Sequence, residues 1–239
     1  MNCSNISIKV SKDSTGDFTS INEAISNAKE DSVIYVSGGV YNESINVSKK
    51  ISIIGDSDNK VIIKPSSDKP CSISNNAHIE NLYFESGITE VNNKDELPLL
   101  TVNGSCSISD CLFNNGLNTG FAIFGGNVDI KECNFFNNKN NIRIWNHASV
   151  SMKDCNITDA KDVGLYLDND CYVVLNYCNV INSLNDNIQV WGASGIVLKN
   201  SNISHSKNYG LTYEEYTDFN MTNTTMEHNE KGDINKVSE

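Results

Sequence analysis

A repeat of 22 to 23 residues runs through the second half of this chain and limits the folds that it can adopt. Each repeat contains three short stretches in which apolar and polar residues alternate, separated by corners rich in Asn, Asp and Gly. None of these stretches has the length or the period of a helix. A small residue recurs at the same place in successive repeats, giving the column Cys111, Cys133, Cys155, Cys178, Ser201 and Thr224.

Three short strands in a repeat of this length predict one coil of a parallel β-helix. This all-β solenoid pairs each strand with its counterpart one coil further along the chain. Leucine-rich repeats have a similar length, but their leucine pattern and their helical stretch are missing here. Coils stack at the strand spacing of about 4.8 Å, so that equivalent residues form columns along the axis.

The cysteine column predicts small side chains packed inside a corner, beside a column of Asn residues that can form a hydrogen-bonded ladder. A metal or redox cluster needs a CxxC pairing or a nearby His, and the column has neither. Cysteines stacked in a parallel ladder rarely have disulfide geometry, so we expect free thiols and a reducing, cytoplasmic location. The asparagine column consists of Asn134, Asn156, Asn179 and Asn202.

Composition and charge exclude several classes of protein. With 239 residues, 38 % of them apolar, the chain can bury a sizeable core. A net charge of -12 and scattered lysines argue against nucleic acid as a partner. The sequence contains no run of 18 apolar residues, so it predicts no membrane span. Residues 1–10 do not resemble a secretion signal. The expected location changes to extracellular if a signal peptide has been removed.

We predict a single β-helix domain over residues 1–239. Residues 1–32 form an N-terminal cap, in which Ser20 and Glu23 make a capping box for an amphipathic helix of about ten residues. Irregular first coils span 33–105 and include a loop at 85–98. Regular coils follow at 106–229, and the polar residues 230–239 form a tail that is either a frayed end or a small cap.

One strand of each coil predicts a candidate binding surface. Its apolar residues, such as Ile142 and Ile144, should point inward, so that the alternate residues point outward. Both tryptophans and the single arginine of the chain are among these outward residues. We name this surface the aromatic strip, and its residues are Phe124, Arg143, Trp145, Tyr166, Asp168, Gln189, Trp191 and Glu214.

Exposed aromatic rings beside fixed hydrogen-bonding groups suit sugar rings. The aromatic strip therefore predicts a ligand-binding site for a glycan or for a protein segment. The alternative is that the rings only stabilise an exposed sheet, because neighbouring side chains on stacked strands contribute about 0.2 to 1 kcal/mol a pair. Stacking alone does not require Arg143 and Gln189 in the same strip.

The N-terminal third resembles a known family. Segments 16–25, 33–45 and 51–55 resemble the opening of pectin methylesterases and of the wider pectin-lyase-like superfamily. The later coils are similar to the repeats of carbohydrate-binding and sugar-hydrolase (CASH) domains. Together the resemblance spans nearly the whole chain. It implies a right-handed, single-stranded parallel β-helix whose substrates, where there are any, lie along one sheet.

The catalytic elements of these esterases are not matched. Their Val-Asp-Phe-Ile-Phe-Gly element corresponds best to residues 120–125, where Phe121 stands at the position of the acid. Their Gln-Asp-Thr and Arg-Pro-Trp elements do not occur, and neither does the polygalacturonase set of Asp-Asp, His-Gly and Arg-Ile-Lys. The resemblance therefore implies the fold and leaves the activity open.

Two classes of function remain. The first is a non-catalytic recognition module that needs no cofactor. The second is a polysaccharide-cleaving enzyme that uses the same strip. In a uronate lyase, Arg143 would be the base, and Asp168, Asp170 and Glu214 would hold Ca²⁺. In a glycoside hydrolase, Asp168 and Glu214 would be acid and base, with their backbones two coils or about 9.6 Å apart.

Overall fold

The computed structural model describes residues 7–66, 68–87 and 97–238. Over these ranges the chain forms one short helix, α1 (Ile21–Asn27), and 28 strands. The strands of the first third are β1 (Ser7–Val10), β2 (Val33–Val36), β3 (Gly39–Tyr41), β4 (Asn46–Val47), β5 (Ser52–Gly55), β6 (Val61–Ile63), β7 (Cys71–Ile73), β8 (Ala77–Glu80), β9 (Tyr83–Glu85) and β10 (Leu100–Val102).

The strands that follow lie in the regular repeats. The middle strands are β11 (Cys106–Ser109), β12 (Leu112–Asn114), β13 (Thr119–Phe124), β14 (Asn127–Lys131), β15 (Asn134–Phe136), β16 (Asn140–Trp145), β17 (Ser149–Lys153), β18 (Asn156–Thr158) and β19 (Leu165–Leu167). The last strands are β20 (Tyr172–Asn176), β21 (Asn179–Ile181), β22 (Ile188–Val190), β23 (Gly195–Lys199), β24 (Asn202–Ser204), β25 (Tyr209–Glu214), β26 (Asp218–Thr222), β27 (Thr225–Glu227) and β28 (Gly232–Val237).

These strands form three parallel sheets, and each coil contributes one strand to each sheet. Sheet 1 contains β1, β2, β5, β8, β11, β14, β17, β20, β23 and β26. Sheet 2 contains β3, β6, β9, β12, β15, β18, β21, β24 and β27. Sheet 3 contains β4, β7, β10, β13, β16, β19, β22, β25 and β28. The predicted all-β parallel solenoid is therefore confirmed.

Equivalent residues of successive repeats lie side by side, as the repeat predicts. Val150 of β17, for example, pairs with Val128 on one side and with Val173 on the other. The inward faces of the three sheets form one continuous apolar core. In sheet 2 the buried rings of Phe84, Phe113 and Phe135 stack in successive coils, with 4.9 Å between neighbouring centroids.

The small-residue column lies inside the corner that joins sheets 1 and 2. The seven cysteines that the structure describes are all buried and free. Ser201 continues the column, because its Oγ accepts a hydrogen bond from the backbone N–H of Cys178 at 3.1 Å. Elsewhere in the core, burial raises the pKa of Cys71 and of Cys106 to about 12. These thiols therefore stay protonated and unreactive in the folded protein.

The asparagine column forms the expected ladder at the start of sheet 2. The Asn156 side-chain amide donates to Asn134 Oδ1 at 2.9 Å, and that of Asn179 donates to Asn156 Oδ1 at 2.8 Å. Side chains outside the core thus link the coils as well.

Helix α1 covers the first coils, and two charged side chains from the solenoid hold its ends. Glu43 accepts hydrogen bonds from the backbone N–H groups of Ile21 and Asn22, both at 3.0 Å, at the N-terminus. Lys49 Nζ donates to the carbonyl oxygen of Ala28 at 2.7 Å at the C-terminus. These charges complement the helix dipole. In the described ranges, no helix has the length and apolar character needed to cross a membrane.

The chain departs from the sequence predictions at its ends. Residues 7–10, assigned to the cap, form strand β1 of sheet 1. The predicted tail contains β28, which pairs with β25 and extends sheet 3 by one strand. Most of the predicted loop at 85–98 lies outside the described residues.

Candidate functional site

The aromatic strip lies on the outer face of sheet 3, on strands β13, β16, β19, β22 and β25, with Asp168 and Trp191 directly after β19 and β22. The register places Arg143 between Ala122 and Tyr166, and Tyr166 next to Gln189. The parallel pairing therefore brings the predicted residues into two adjacent columns. The inward neighbours Ile142 and Ile144 are fully buried, which fixes the outward direction of Arg143 and Trp145.

Arg143 is the centre of the strip, and its guanidinium lies between two aromatic rings. Its Cζ is 4.4 Å from the centroid of Trp145 and 4.8 Å from that of Tyr166. The Nε atom is buried without a hydrogen-bond partner. Among the residues described, no carboxylate forms a salt bridge with this guanidinium. Stacking on two rings leaves the terminal Nη donors of the guanidinium available to a planar anion, whereas the buried Nε is out of a ligand's reach.

Phe124 extends the stack by one coil. Its ring lies 4.8 Å from that of Trp145, with 9° between the two planes. Phe124 is 39 % exposed, whereas Trp145 and Tyr166 are half-buried. Three aromatic rings and one cation are thus in contact over three coils on one surface.

The orientation of Trp191 depends on Asp186, which the sequence analysis did not single out. Trp191 Nε1 donates to Gln189 Oε1 at 3.4 Å, and Gln189 Nε2 donates to Asp186 Oδ2 at 2.8 Å. Asp186 is only 2 % exposed and also accepts from the backbone N–H of Tyr209 at 2.9 Å. The buried carboxylate of Asp186 therefore orients the side-chain amide of Gln189, and this amide orients the indole of Trp191.

The two strip carboxylates meet around Gly192. Glu214 Oε2 accepts a hydrogen bond from the Gly192 N–H at 2.7 Å. Gly192 has φ +61, and a Cβ at this position would lie 2.5 Å from Asp168 Oδ1. Only a glycine permits this close approach together with the left-handed backbone. Burial, and next the charge of Asp168, raise the pKa of the Tyr166 phenol.

The three residues that would hold Ca²⁺ in a uronate lyase are not brought together. Asp170 lies in the corner after β19, where it follows Asn169 and both residues have φ 59. Its Oδ2 is 3.6 Å from His147 Nδ1 in the corner of the preceding coil. Within the described ranges, no three His, Cys, Asp or Glu residues are placed to share a metal ion. The set of Asp168, Asp170 and Glu214 is therefore not assembled.

Three further residues of sheet 3 near the strip are buried, two of them although they point outward. Ala122 and Thr212 point outward but are only 1 % and 4 % exposed. Thr212 is next to Asn235 of β28, the strand that the sequence analysis assigned to the tail. Phe121 is fully buried and stacks on Phe113 at 5.1 Å, so its position supplies no catalytic acid.

Two family models match parts of the chain. The model described as "Right handed beta helix region" matches residues 140–237. The model described as "Pectinesterase" matches residues 7–78, which include the first coils.

Solved structures agree with these matches over nearly the whole length. Pectin methylesterase from carrot superposes with a TM-score of 0.66 at 15 % identity, covering 98 % of this chain and 89 % of that protein. Pectate lyase Pel9A superposes with a TM-score of 0.69 at 11 % identity, covering 88 % of this chain and 67 % of that protein. The chain is a right-handed parallel β-helix protein with the pectin-lyase-like fold.

A curated relative of this β-helix protein is the pectinesterase/pectinesterase inhibitor 18 of Arabidopsis thaliana. It is 43 % identical over 63 residues, a match that covers 23 % of the β-helix chain and 11 % of the relative. The β-helix chain thus matches only about a tenth of that relative's length.

Proposed function

We propose that the β-helix protein acts on pectin and binds a uronate-containing glycan along the aromatic strip. The observation that carries this proposal is the guanidinium of Arg143, which stacks on two rings and forms no salt bridge with a described carboxylate. Planar guanidinium groups bind carboxylates through two parallel hydrogen bonds, and the adjacent rings can cover the apolar faces of sugars. The matched family and both structural neighbours are named for pectin-directed activities.

The charge distribution supports an acidic ligand at this position. The chain has a net charge of -12, so an anionic polymer is repelled from most of its surface. Arg143 is a local exception whose charge no described carboxylate neutralises. A uronate carboxylate bound by the terminal Nη atoms of Arg143 would supply the salt-bridge partner that no described carboxylate provides.

The experiment compares an oligogalacturonate with its methyl ester. Both tryptophans lie in the strip, so intrinsic fluorescence reports binding there directly. We expect the acid to bind more tightly than the ester. Arg143→Gln should weaken binding of the acid about 10- to 100-fold, since it removes a charge-assisted hydrogen bond. Arg143→Lys should restore little of this affinity, because an ammonium cannot bind a carboxylate in the bidentate mode.

Lys131→Gln is the matched control, since it removes a cation from the outer face of sheet 1. It should leave the affinity unchanged. Equal affinity for acid and ester, or normal binding by Arg143→Gln, would show that Arg143 does not select a carboxylate.

A second candidate is catalysis at the same strip. It is favoured by the approach of Asp168 and Glu214 to Gly192, which places two carboxylates of the strip beside one residue. In this case polygalacturonate or methyl-esterified pectin should yield unsaturated uronate, new reducing ends or methanol. Asp168→Asn and Glu214→Gln should each remove the product without abolishing binding. A lack of all three products would leave the binding role alone.

A further inference from the structure

A serine, a histidine and a glutamate form a continuous hydrogen-bonded chain on sheet 1, away from the aromatic strip. His78 and Glu80 lie on the outer face of β8, two residues apart, and Ser107 is the residue that pairs with His78 on β11. Ser107 Oγ is 2.9 Å from His78 Nδ1, and His78 Nε2 is 3.0 Å from Glu80 Oε2. This set has no signature in the sequence, because Ser107 meets His78 only through the register of successive coils.

The partners of His78 determine which ring nitrogen carries the proton. An ionised Glu80 can only accept a hydrogen bond, so the Nε2 of His78 must donate to it. In the neutral ring, Nδ1 then has a free lone pair, and this lone pair faces the hydroxyl of Ser107. A base oriented by a carboxylate and in contact with a hydroxyl is the arrangement that activates a serine nucleophile.

The same three side chains are open to solvent on one side. The side chain of His78 is 34 % exposed, that of Glu80 is 40 % exposed, and Ser107 is half-buried. His78 and Ser107 line a surface depression of about 360 Å³, whose other lining residues include the apolar Val33, Ile51 and Ala77 and the polar Lys50, Ser52 and Asn76. This volume has room for a small acyl group next to Ser107.

We propose that Ser107, His78 and Glu80 form an esterase centre for small acyl esters. Ser107 Oγ attacks the acyl carbon while its proton passes to His78 Nδ1. The bond from the acyl carbon to the alkoxy oxygen breaks, and the alcohol leaves with that proton. Water then attacks the acyl-serine, gives a proton to His78 Nδ1 and releases the carboxylic acid as Ser107 Oγ is reprotonated. Ser107 and His78 are the catalytic residues, and Glu80 is a positioning residue.

The centre is distinct from the proposed glycan site and does not rest on it. The two sites lie on different sheets and share no residue. Other serines on the outer face of sheet 1 provide internal comparisons. Ser109 lies two residues after Ser107 on the same face and pairs with Glu80 rather than with a histidine.

The test uses a fluorophosphonate probe and p-nitrophenyl acetate with the full chain. The probe should label Ser107, as identified by peptide mass spectrometry. Ser107→Ala and His78→Asn should each abolish labelling and lower ester hydrolysis about 100-fold or more, the contribution expected of a general base and its nucleophile. Glu80→Gln should lower kcat with KM nearly unchanged, because it disturbs the tautomer of His78 and not the acyl pocket.

Ser109→Ala should behave like the unmodified protein in both assays. Circular dichroism of every variant checks that the solenoid is intact, which is expected for half-exposed positions on a solvated sheet. Labelling at another residue, or full hydrolysis by Ser107→Ala, would overturn the proposal. Methanol release from pectin that depends on Asp168 and not on Ser107 would support the strip as a second, separate site.

Discussion

Neighbouring residues on one strand have opposite roles in this protein, and β16 shows this most clearly. Ile144 is fully buried in the core, while Arg143 and Trp145 on either side of it lie on the outer face of sheet 3. The pleat separates them by direction, although they are consecutive in the chain. Substitutions one residue apart should therefore affect different properties.

Ile144→Ala should lower the free energy of unfolding by about 2 to 5 kcal/mol, because it leaves a cavity in the core. Trp145→Ala should lower it by only about 1 kcal/mol, which is the contribution of its aromatic stacking. Urea denaturation of the two variants measures both values. A larger loss for Trp145→Ala than for Ile144→Ala would mean that the inward and outward faces have been exchanged.

The double variant Trp145→Ala, Trp191→Ala should lose binding of the oligogalacturonate while it keeps its fold. Both rings lie on the outer face, and neither belongs to the apolar core. Since this variant has no tryptophan, calorimetry replaces fluorescence as the measurement. Replacement of the exposed Tyr177 by Ala, on a corner outside the strip, is the control and should bind normally.

The buried thiols predict a loss of stability at alkaline pH. The ordinary pKa of 9.0 applies to Cys71 in the unfolded chain, and burial raises it to about 12 in the folded protein. Between these values the folded state binds more protons than the unfolded state, so its stability falls as the pH rises. The unfolding free energy of Cys71→Ala should decline less steeply from pH 9.0 upward than that of the unmodified protein. Equal slopes would contradict the assigned shift.

The residues of the strip could be predicted because the repeat fixes which positions are equivalent. Alternation within one strand then assigned Arg143 and Trp145 to the outer face. Asp186 could not be found in this way, because it lies outside the alternating stretch and its contacts include Tyr209, one coil away. Ser107 and His78 were missed for the same reason, since their contact needs the register between coils.

Among the elements, helix α1 has seven residues and is therefore too short to be stable by its own propensity. Its stability depends on packing and on the two charged side chains at its ends. Glu43→Gln and Lys49→Met should each lower the unfolding free energy by about 1 kcal/mol, because each weakens charge-assisted hydrogen bonds to backbone groups at a helix end. Chemical denaturation provides the measurement.

Glu23→Gln is the control for these two variants. Glu23 lies in the first turn of α1, but its side chain is exposed. Its replacement should change stability by less than about 0.5 kcal/mol. If all three variants have the same effect, the contacts of Glu43 and Lys49 add nothing beyond surface charge.

Strand β28 shows which elements the sequence could not predict. A strand is recognised in a sequence by the apolar residues on its buried face. Strand β28 is the last strand of sheet 3, and no further described coil packs against it. Residues 232–237 are therefore polar, and Ile234 is 44 % exposed. Helix α1 was predictable because Ser20 is its N-cap and Ile21, Ala24 and Ile25 form a buried face.

For the whole molecule, the repeat predicts that one complete coil can be removed. Deletion of residues 156–178 joins Cys155 to Asn179, which occupies the position equivalent to Asn156. Strand β21 then pairs with β15 in the same register, so we expect a folded protein with one coil fewer.

Deletion of 157–178 is the control. It leaves one extra residue and shifts the pleat of β21, which should unfold or strongly destabilise the chain. Circular dichroism and thermal denaturation compare the two variants. Equal stability of both would show that the corners absorb the shift.

The coil length also determines how quickly this protein can fold. Parallel sheets generally form slowly, because distant parts of the chain must meet before any pairing is gained. Here each strand pairs with one only 22 to 23 residues away in the regular coils, so the loop that must close is short. Divided by the 239 residues of the chain, this separation gives a relative contact order of roughly 0.1, as in helical bundles. Two adjacent coils can therefore template the next one, and folding can begin while the later coils are still being synthesised.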